Sequence, residues 1–379
     1  RCCCARTSAR STFTTLCVPC NGTSIIKADQ PAKLVMELLR IPGGATAESM
    51  PVNSFICRDT NAVLERGKVV IDELLVESPG PLRATVRLRG AILLKHFGET
   101  LPDEVKKLEP AGRMPFSMRF SFFKGLPMVC AQHQIVFSGE PDCDFISHWG
   151  IELPGCAGTR GMLVLEPGAE IQKAGGTETV LEAPTRLCWA PLKNGFALIR
   201  QGWQNRPCGI QQTADGSAAI NFWPREAGPW DLRRYAREWA VGESGDTRDP
   251  KSIERYAKFA ARGMAKSHDF VMHFGPSKLD TAAPEIVRAA SSRGMLLAPP
   301  SWYAQSLALG GYAPAQSNGE WAAIDSATQR KLDYHLFCQD LFGWYGKLNY
   351  GFWQTRYGQV HRSDRWDNDY GRWSWSLND

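Results

Sequence analysis

The sequence lacks the motifs that hold phosphates. GxxxxGKS/T is absent, and no GxGxxG follows a strand pattern, so the P-loop and dinucleotide-binding classes are not indicated. Gly43-Gly44 and Gly310-Gly311 are too short to cradle a phosphate. GxSxG and HExxH are also missing, which removes the nucleophile-elbow and zincin signatures. No run of about 18 apolar residues occurs, so nothing reads as a membrane-spanning helix. Net charge is +5, yet the basic residues form no long run. That disfavours nucleic acid as a partner and suits an acidic small molecule or polyuronide. Cys17-x-x-Cys20 has metal-like spacing, but no second CxxC or histidine pair completes a zinc site. The cysteine-rich opening has no apolar h-region, so no signal peptide is read there, and it is expected to be a disordered leader.

What is present is globular. The 379 residues are 43% hydrophobic and 22% charged, enough for two or three domains with real cores. Glycine (35) and proline (24) favour turn-rich β structure. Of the 12 cysteines, Cys2, Cys3, Cys4, Cys17 and Cys20 crowd the start and the others are scattered singly.

Strand signals begin near Leu34. Apolar and polar residues alternate over 67–76, 82–94, 115–123, 128–138 and 144–153, then over 161–165, 195–202 and 218–223. Ser78-Pro79-Gly80-Pro81, Gly125-Leu126-Pro127 and Gly139-Glu140-Pro141 punctuate them. Short strands at this spacing predict an antiparallel β-sandwich. Helical spacing follows over 231–240, with Asp231 as cap, and over 252–262. Residues 265–274 read as a returning strand and 281–293 as a helix. A long amphipathic helix is expected over 320–348, with Leu332, His335, Leu336, Gln339, Leu341 and Phe342 near one side. The expected class is mostly β followed by α.

The last 29 residues hold the densest chemistry. Phe352, Trp353, Tyr357, Trp366, Tyr370, Trp373 and Trp375 alternate with His361, Arg356, Arg362, Arg365, Arg372, Asp364, Asp367, Asn368 and Asp369. Flat rings stack on the apolar face of a sugar, while amides, carboxylates and guanidinium groups bind its hydroxyls and acidic substituents. A buried aromatic core with a charged rim is the competing account. The segment carries no helix-stop signal before it ends, so the chain is expected to be cut within a domain. His268, opening the returning strand, is a candidate for a cleft-facing group. His133 and His148 fall inside strand patterns and read as core or surface histidines.

Such residues suit β-elimination on a uronic acid. The C5 proton is weakly acidic while the neighbouring carboxylate is charged. The reaction needs a cationic group that neutralises the carboxylate and a base on the proton. Tyr357 or His361 supplies the base, with Arg356, Arg362 or Arg365 neutralising the carboxylate. Trp353 and Trp366 are stacking platforms, and Asn368, Tyr370 and Trp373 are further substrate contacts. A glycoside hydrolase would instead use two carboxylates about 5–10 Å apart, and nothing selects a pair among Asp364, Asp367, Asp369 and Asp379. No cofactor signature is read and no metal site is assigned, although those carboxylates suit Ca²⁺ at a spacing unlike an EF-hand's.

Five stretches carry a resemblance: Glu77–Gly90, Met128–Pro154, Trp223–Tyr235, Gly263–Gly275 and Asn349–Asp379. Together they resemble the exo-rhamnogalacturonan lyase-like family of polysaccharide lyases, in the right order over residues 65–379. The resemblance implies a RIFT-type β-barrel, a central β-sandwich and a C-terminal α/α toroid. On that plan residues 1–64 are the leader and a barrel remnant, 65–278 the sandwich, and 279–379 the start of a truncated toroid. Where the family usually has Asp, Gln359 stands. The implied partner is an acidic polysaccharide or oligosaccharide, and the implied location is extracellular or periplasmic. Two other functions remain open: a glycoside hydrolase, and a non-catalytic carbohydrate-binding sandwich or inactive fragment.

Overall fold

The computed structural model describes residues 32–46, 57–99, 106–107, 112–158, 161–165, 179–181, 188–200, 207–213, 215–233, 261–275, 283–291, 297–308, 310–311 and 314–342. Fourteen strands occur among them: β1 Lys33–Arg40, β2 Val63–Arg66, β3 Lys68–Pro79, β4 Arg83–Leu93, β5 Arg113–Phe123, β6 Met128–Val136 and β7 Asp144–Leu153. They continue with β8 Gly161–Val164, β9 Thr179–Leu181, β10 Cys188–Leu192, β11 Gly195–Ile199, β12 Cys208–Gln212, β13 Ala218–Trp223 and β14 Ala265–Phe274. Three helices follow: α1 Ala283–Ser291, α2 Pro300–Ser306 and α3 Ala322–Phe342. None of the described helices is long and apolar enough to cross a membrane.

The strands build an antiparallel sandwich of two sheets. Sheet one runs β2-β1-β7-β13-β12-β8-β9, and sheet two runs β10-β11-β14-β6-β5-β4-β3. Every pairing is antiparallel except β8 with β9. Period-two alternation sets the faces. β5 sends Met114, Phe116, Met118 and Phe120 inward, and β6 sends Val129, Ala131, His133 and Ile135 to meet them. Sheet one answers with Met36, Leu38, Trp149, Ile151, Ile220 and Phe222.

β1 lies ahead of residue 65, where the sandwich is expected to begin. β1 pairs with β7 along its length and contributes Leu34, Met36 and Leu38 to the interlayer core. It belongs to sheet one because its inward face has nowhere else to be buried. An ion pair ties its end down: Arg40 Nη1 donates to Asp144 Oδ1 at 2.5 Å with both side chains buried. Asp144 Oδ2 accepts from the backbone N–H of Gly98 (2.9 Å) and Glu140 (2.8 Å). A buried pair so fully hydrogen-bonded fixes register, and removing one partner leaves a stranded charge. Asp231 makes a cap contact, Oδ1 accepting from Arg233 N at 2.9 Å. The rest of the helix expected over 231–240, and the one over 252–262 up to residue 260, lie outside the described residues.

α1 docks on the outer face of sheet two, where Val287 and Ala290 pack against Phe196, Leu198 and Val271. Arg200 Nε donates to the Ala290 carbonyl at 2.7 Å, anchoring the C-terminal end of the helix. α3 differs from the expected amphipathic helix. Leu332 and Leu336 are exposed, as are Ile324 and Phe337.

Candidate glycan-binding surface

Most of the sequence-predicted site lies outside the described residues: Trp353, Arg356, Tyr357, His361, Arg362, Arg365, Trp366, Asn368, Tyr370 and Trp373, together with the Asp364–Asp369 carboxylates. His268 is described, and it does not face a cleft. β14 turns it inward, and it is 0% exposed. It stands directly opposite His133 in the β14–β6 register. The Phe222 ring stacks against both imidazoles, at 5.1 Å from His133 and 4.9 Å from His268. Trp149 closes on them at 4.9 and 5.3 Å. Burial pushes the His133 imidazole down to about 3, so it is neutral at ordinary pH. Both histidines serve as flat packing units in the core.

Two polar constellations lie on the outer faces. On sheet one, Arg225 makes a two-pronged contact with Glu37 (2.8 and 2.6 Å). His148, opposite Glu37 in register, has Nδ1 at 3.1 Å from the Trp223 carbonyl. Burial, with the Arg225 charge nearby, lowers His148 to about 4. Asn221 donates to Gln211, which donates to Glu226 at 2.7 Å. His148 and Asn221 are almost fully buried, so this array holds the sheet surface together and offers little to a ligand.

Sheet two presents a shelf of arginines. β4 turns Arg87 and Arg89 outward, with Arg83 near its start, and β5 adds Arg113 and Arg119. Strand register lines them up. Arg87, Arg119, Gln132 and Asp269 form one row across β4, β5, β6 and β14, and Arg89, Ser117, Gln134 and Ser267 form the next. Asp72, Glu73 and Glu77 on β3 are the facing carboxylates. Arg87 reaches Glu73 (3.2 Å) and Glu77 (3.0 Å), Arg119 reaches Glu77 (3.0 Å), and Arg113 reaches Asp72 (2.9 Å). The Arg119 hydrogen bond holds the partly buried Glu77 carboxyl below its ordinary value, so it stays ionised. Arg89 stands 3.9 Å from Glu73, and Arg83 donates to the Ser121 hydroxyl at 3.2 Å with its guanidinium 5.9 Å from the Phe123 ring centroid.

Five guanidinium groups thus share the face with four carboxylates, Asp269 included, leaving an excess of positive charge. The Arg89 side chain is 58% exposed and that of Arg119 41%. Planar forks of N–H donors beside glutamine amides and one aromatic ring match carboxylates and hydroxyls on a chain of sugars. Residue patterning alone does not single out this shelf. Its signal is present as arginines at alternate positions within the β4 pattern, interleaved with Val86 and Leu88. Among the described residues, no group of three or more His, Cys, Asp or Glu side chains could hold a metal ion.

Residues 48–155 match the family model of the PcRGLX-like protein central beta sandwich domain. The match supports the rhamnogalacturonan lyase-like family. It spans β2 through β7, and so takes in β4 and β5, whose arginines form the shelf. No curated protein matches the sequence. Among solved structures, an alpha-mannosidase from Enterococcus faecalis V583 aligns at 12% identity and a TM-score of 0.36, over 69% of this chain and 28% of its own. A protein in the glycosyl hydrolase family 38 from Enterococcus faecalis aligns at the same identity and score, over 69% of this chain and 29% of its own. The chain therefore spans under a third of the length of either structure, and likeness at this level carries no functional argument.

Proposed function

We propose that this chain is the sandwich-bearing part of a carbohydrate-active protein that cleaves a uronic-acid-containing glycan of rhamnogalacturonan type by β-elimination. The observation that carries the reading is the PcRGLX-like match over residues 48–155. The arginine excess on sheet two supports an acidic glycan over a neutral one. Residues from about 279 onward begin an α/α toroid in this reading, and the protein works outside the cytoplasm.

The chemistry assigns roles to the aromatic segment. An arginine among Arg356, Arg362 and Arg365 binds the uronate carboxylate and stabilises the enolate that forms as charge moves onto it. Tyr357 or His361 takes the C5 proton. The C4–oxygen bond then breaks, its electron pair leaves with the glycosidic oxygen, and a 4,5-unsaturated sugar remains. Trp353 and Trp366 stack against sugar faces, with Asn368, Tyr370 and Trp373 as further contacts.

The unsaturated product absorbs in the ultraviolet, and a hydrolysis product does not. Incubation with a polyuronide panel that includes rhamnogalacturonan I is expected to raise ultraviolet absorbance steadily. New reducing ends without absorbance would identify a hydrolase instead. A second reading, glycan binding without turnover, is favoured by the shelf itself. It predicts saturable binding of acidic glycans with neither product.

A further inference from the structure

Cys188 and Cys208 come from different sheets and meet. Cys188 opens β10 at one end of sheet two, and Cys208 opens β12 within sheet one. Both are 0% exposed, and both lie in the interlayer core. The sheets converge here: Cα atoms of β10 and β12 approach within 8 Å, against roughly 10 Å between stacked sheets in general. Small side chains allow this approach, since Ala190 follows Cys188 inward and pairs across the strands with Ala197. In the closed gap the Cys208 side chain is the close neighbour of Cys188. Both are thiols in this structure.

Other described cysteines find different surroundings. Cys130 receives Arg200 Nη2 at 3.6 Å, and Cys143 lies beside Glu140 and Asp144, which together with burial push its thiol up to about 12. A buried cysteine is commonly just a small apolar filler. Two cysteines on facing strands that approach this closely are placed where a cross-link between the sheets is feasible.

We infer that Cys188 and Cys208 are a covalent modification site, the two halves of an inter-sheet disulfide that forms when the chain meets a small-molecule disulfide oxidant. The step balances simply. One thiolate attacks the oxidant's disulfide and releases one small thiol. The other thiolate displaces the second small thiol from the mixed disulfide. Two S–H bonds are lost, one S–S bond forms between Cys188 and Cys208, and two electrons and two protons leave with the reduced oxidant.

The fold sets when this can happen. Both sulfurs are sealed, and contact with Cys208 plus burial hold the Cys188 thiol well above its ordinary pKa. β10 is the terminal strand of sheet two and pairs with β11 alone among the described strands. Peeling of this edge, or the chain before it closes, exposes the pair to oxidant. Once made, the bond ties a marginal edge strand to the opposite sheet. None of this depends on what glycan the protein acts on.

The test uses the full chain, folded once under reducing conditions and once in a buffer of oxidised and reduced glutathione. Non-reducing digestion and mass spectrometry of the oxidised sample are expected to yield a peptide pair joined through Cys188 and Cys208 that separates on reduction. The oxidised form is expected to melt roughly 5–10 °C above the reduced form. That gap should vanish in a Cys188→Ala/Cys208→Ala variant. Recovery of both residues as alkylatable thiols after oxidative folding overturns the inference, as does linkage of either to another cysteine. Peptide mapping of the unsubstituted chain distinguishes these outcomes even if the double variant fails to fold.

Discussion

His133 is a titratable ring in a place where a phenyl ring would fit. Phe116 and Phe222 stack on it nearly parallel, at 6.0 and 5.1 Å, and neither ring nitrogen has a hydrogen-bond partner. Burial lowers its pKa from 6.5 to about 3. Above pH 6.5 the ring is neutral in both folded and unfolded chains, so it leaves stability independent of pH. Between 6.5 and about 3 only the unfolded chain takes up the proton, and stability falls by about 1.4 kcal/mol per pH unit. His133→Phe is therefore expected to be about 3 kcal/mol less acid-sensitive at pH 4.5 than the unsubstituted chain. Thermal melts at pH 7 and 4.5 measure this. His148, also depressed, supplies a second acid-sensitive component that the substitution leaves in place.

The shelf arginines make a different residue-scale prediction. Arg89 and Arg119 are substantially exposed, so their ion pairs add little to stability. Reversing both, as Arg89→Glu with Arg119→Glu, is expected to shift the melting temperature only slightly. Affinity for polygalacturonate should fall about tenfold or more, since each site loses a charge-assisted contact. Calorimetric titration against polygalacturonate and a neutral glycan separates the two effects. Equal loss for both glycans would show that charge plays no part.

At the scale of elements, alternation made most strands legible. The patterns over 115–123, 128–138 and 144–153 correspond to β5, β6 and β7 because each has one face in the core. β10 and β12 are five-residue strands, CWAPL and CGIQQ, whose proline and glycine weaken any local strand signal. β1 carried a strand signal, but its partner β7 lies about a hundred residues downstream, and pairing at that distance leaves no mark on local pattern. α3 was visible by its period, whereas its exposure was not, because period reports a face and says nothing of what covers it. α1 depends on one anchor. Arg200→Ala removes the donor to the Ala290 carbonyl and is expected to loosen the helix by about 1–2 kcal/mol. Hydrogen exchange should rise over 283–291 while β5 and β6 stay protected.

For the whole molecule, the two sheets share one interlayer core, to which the first strand contributes. A chain beginning at residue 65, the boundary that the sequence suggested, lacks β1. Asp144 then loses Arg40, and the inward faces of Trp149 and Ile151 lose Met36 and Leu34. Such a chain is expected to lose cooperative unfolding in urea, and one beginning at residue 31 to keep it. The site was legible in a narrower sense. Sugar chemistry was read from aromatic density in a segment outside the described residues, while the charged shelf, encoded by side-chain alternation, needed strand register to bring β4 and β5 together.

β3 has one further consequence. It runs twelve residues along the outer margin of sheet two, with Leu74, Leu75 and Val76 in solvent. A flat strand of this kind would be a template on which another chain could add, copy upon copy. β3 is not flat. Its pairing slips between Ile71 and Glu73 and again between Val76 and Ser78, and Pro79 ends it. Each slip bends the backbone and breaks the row of outward donors and acceptors into pieces too short to seed a fibril.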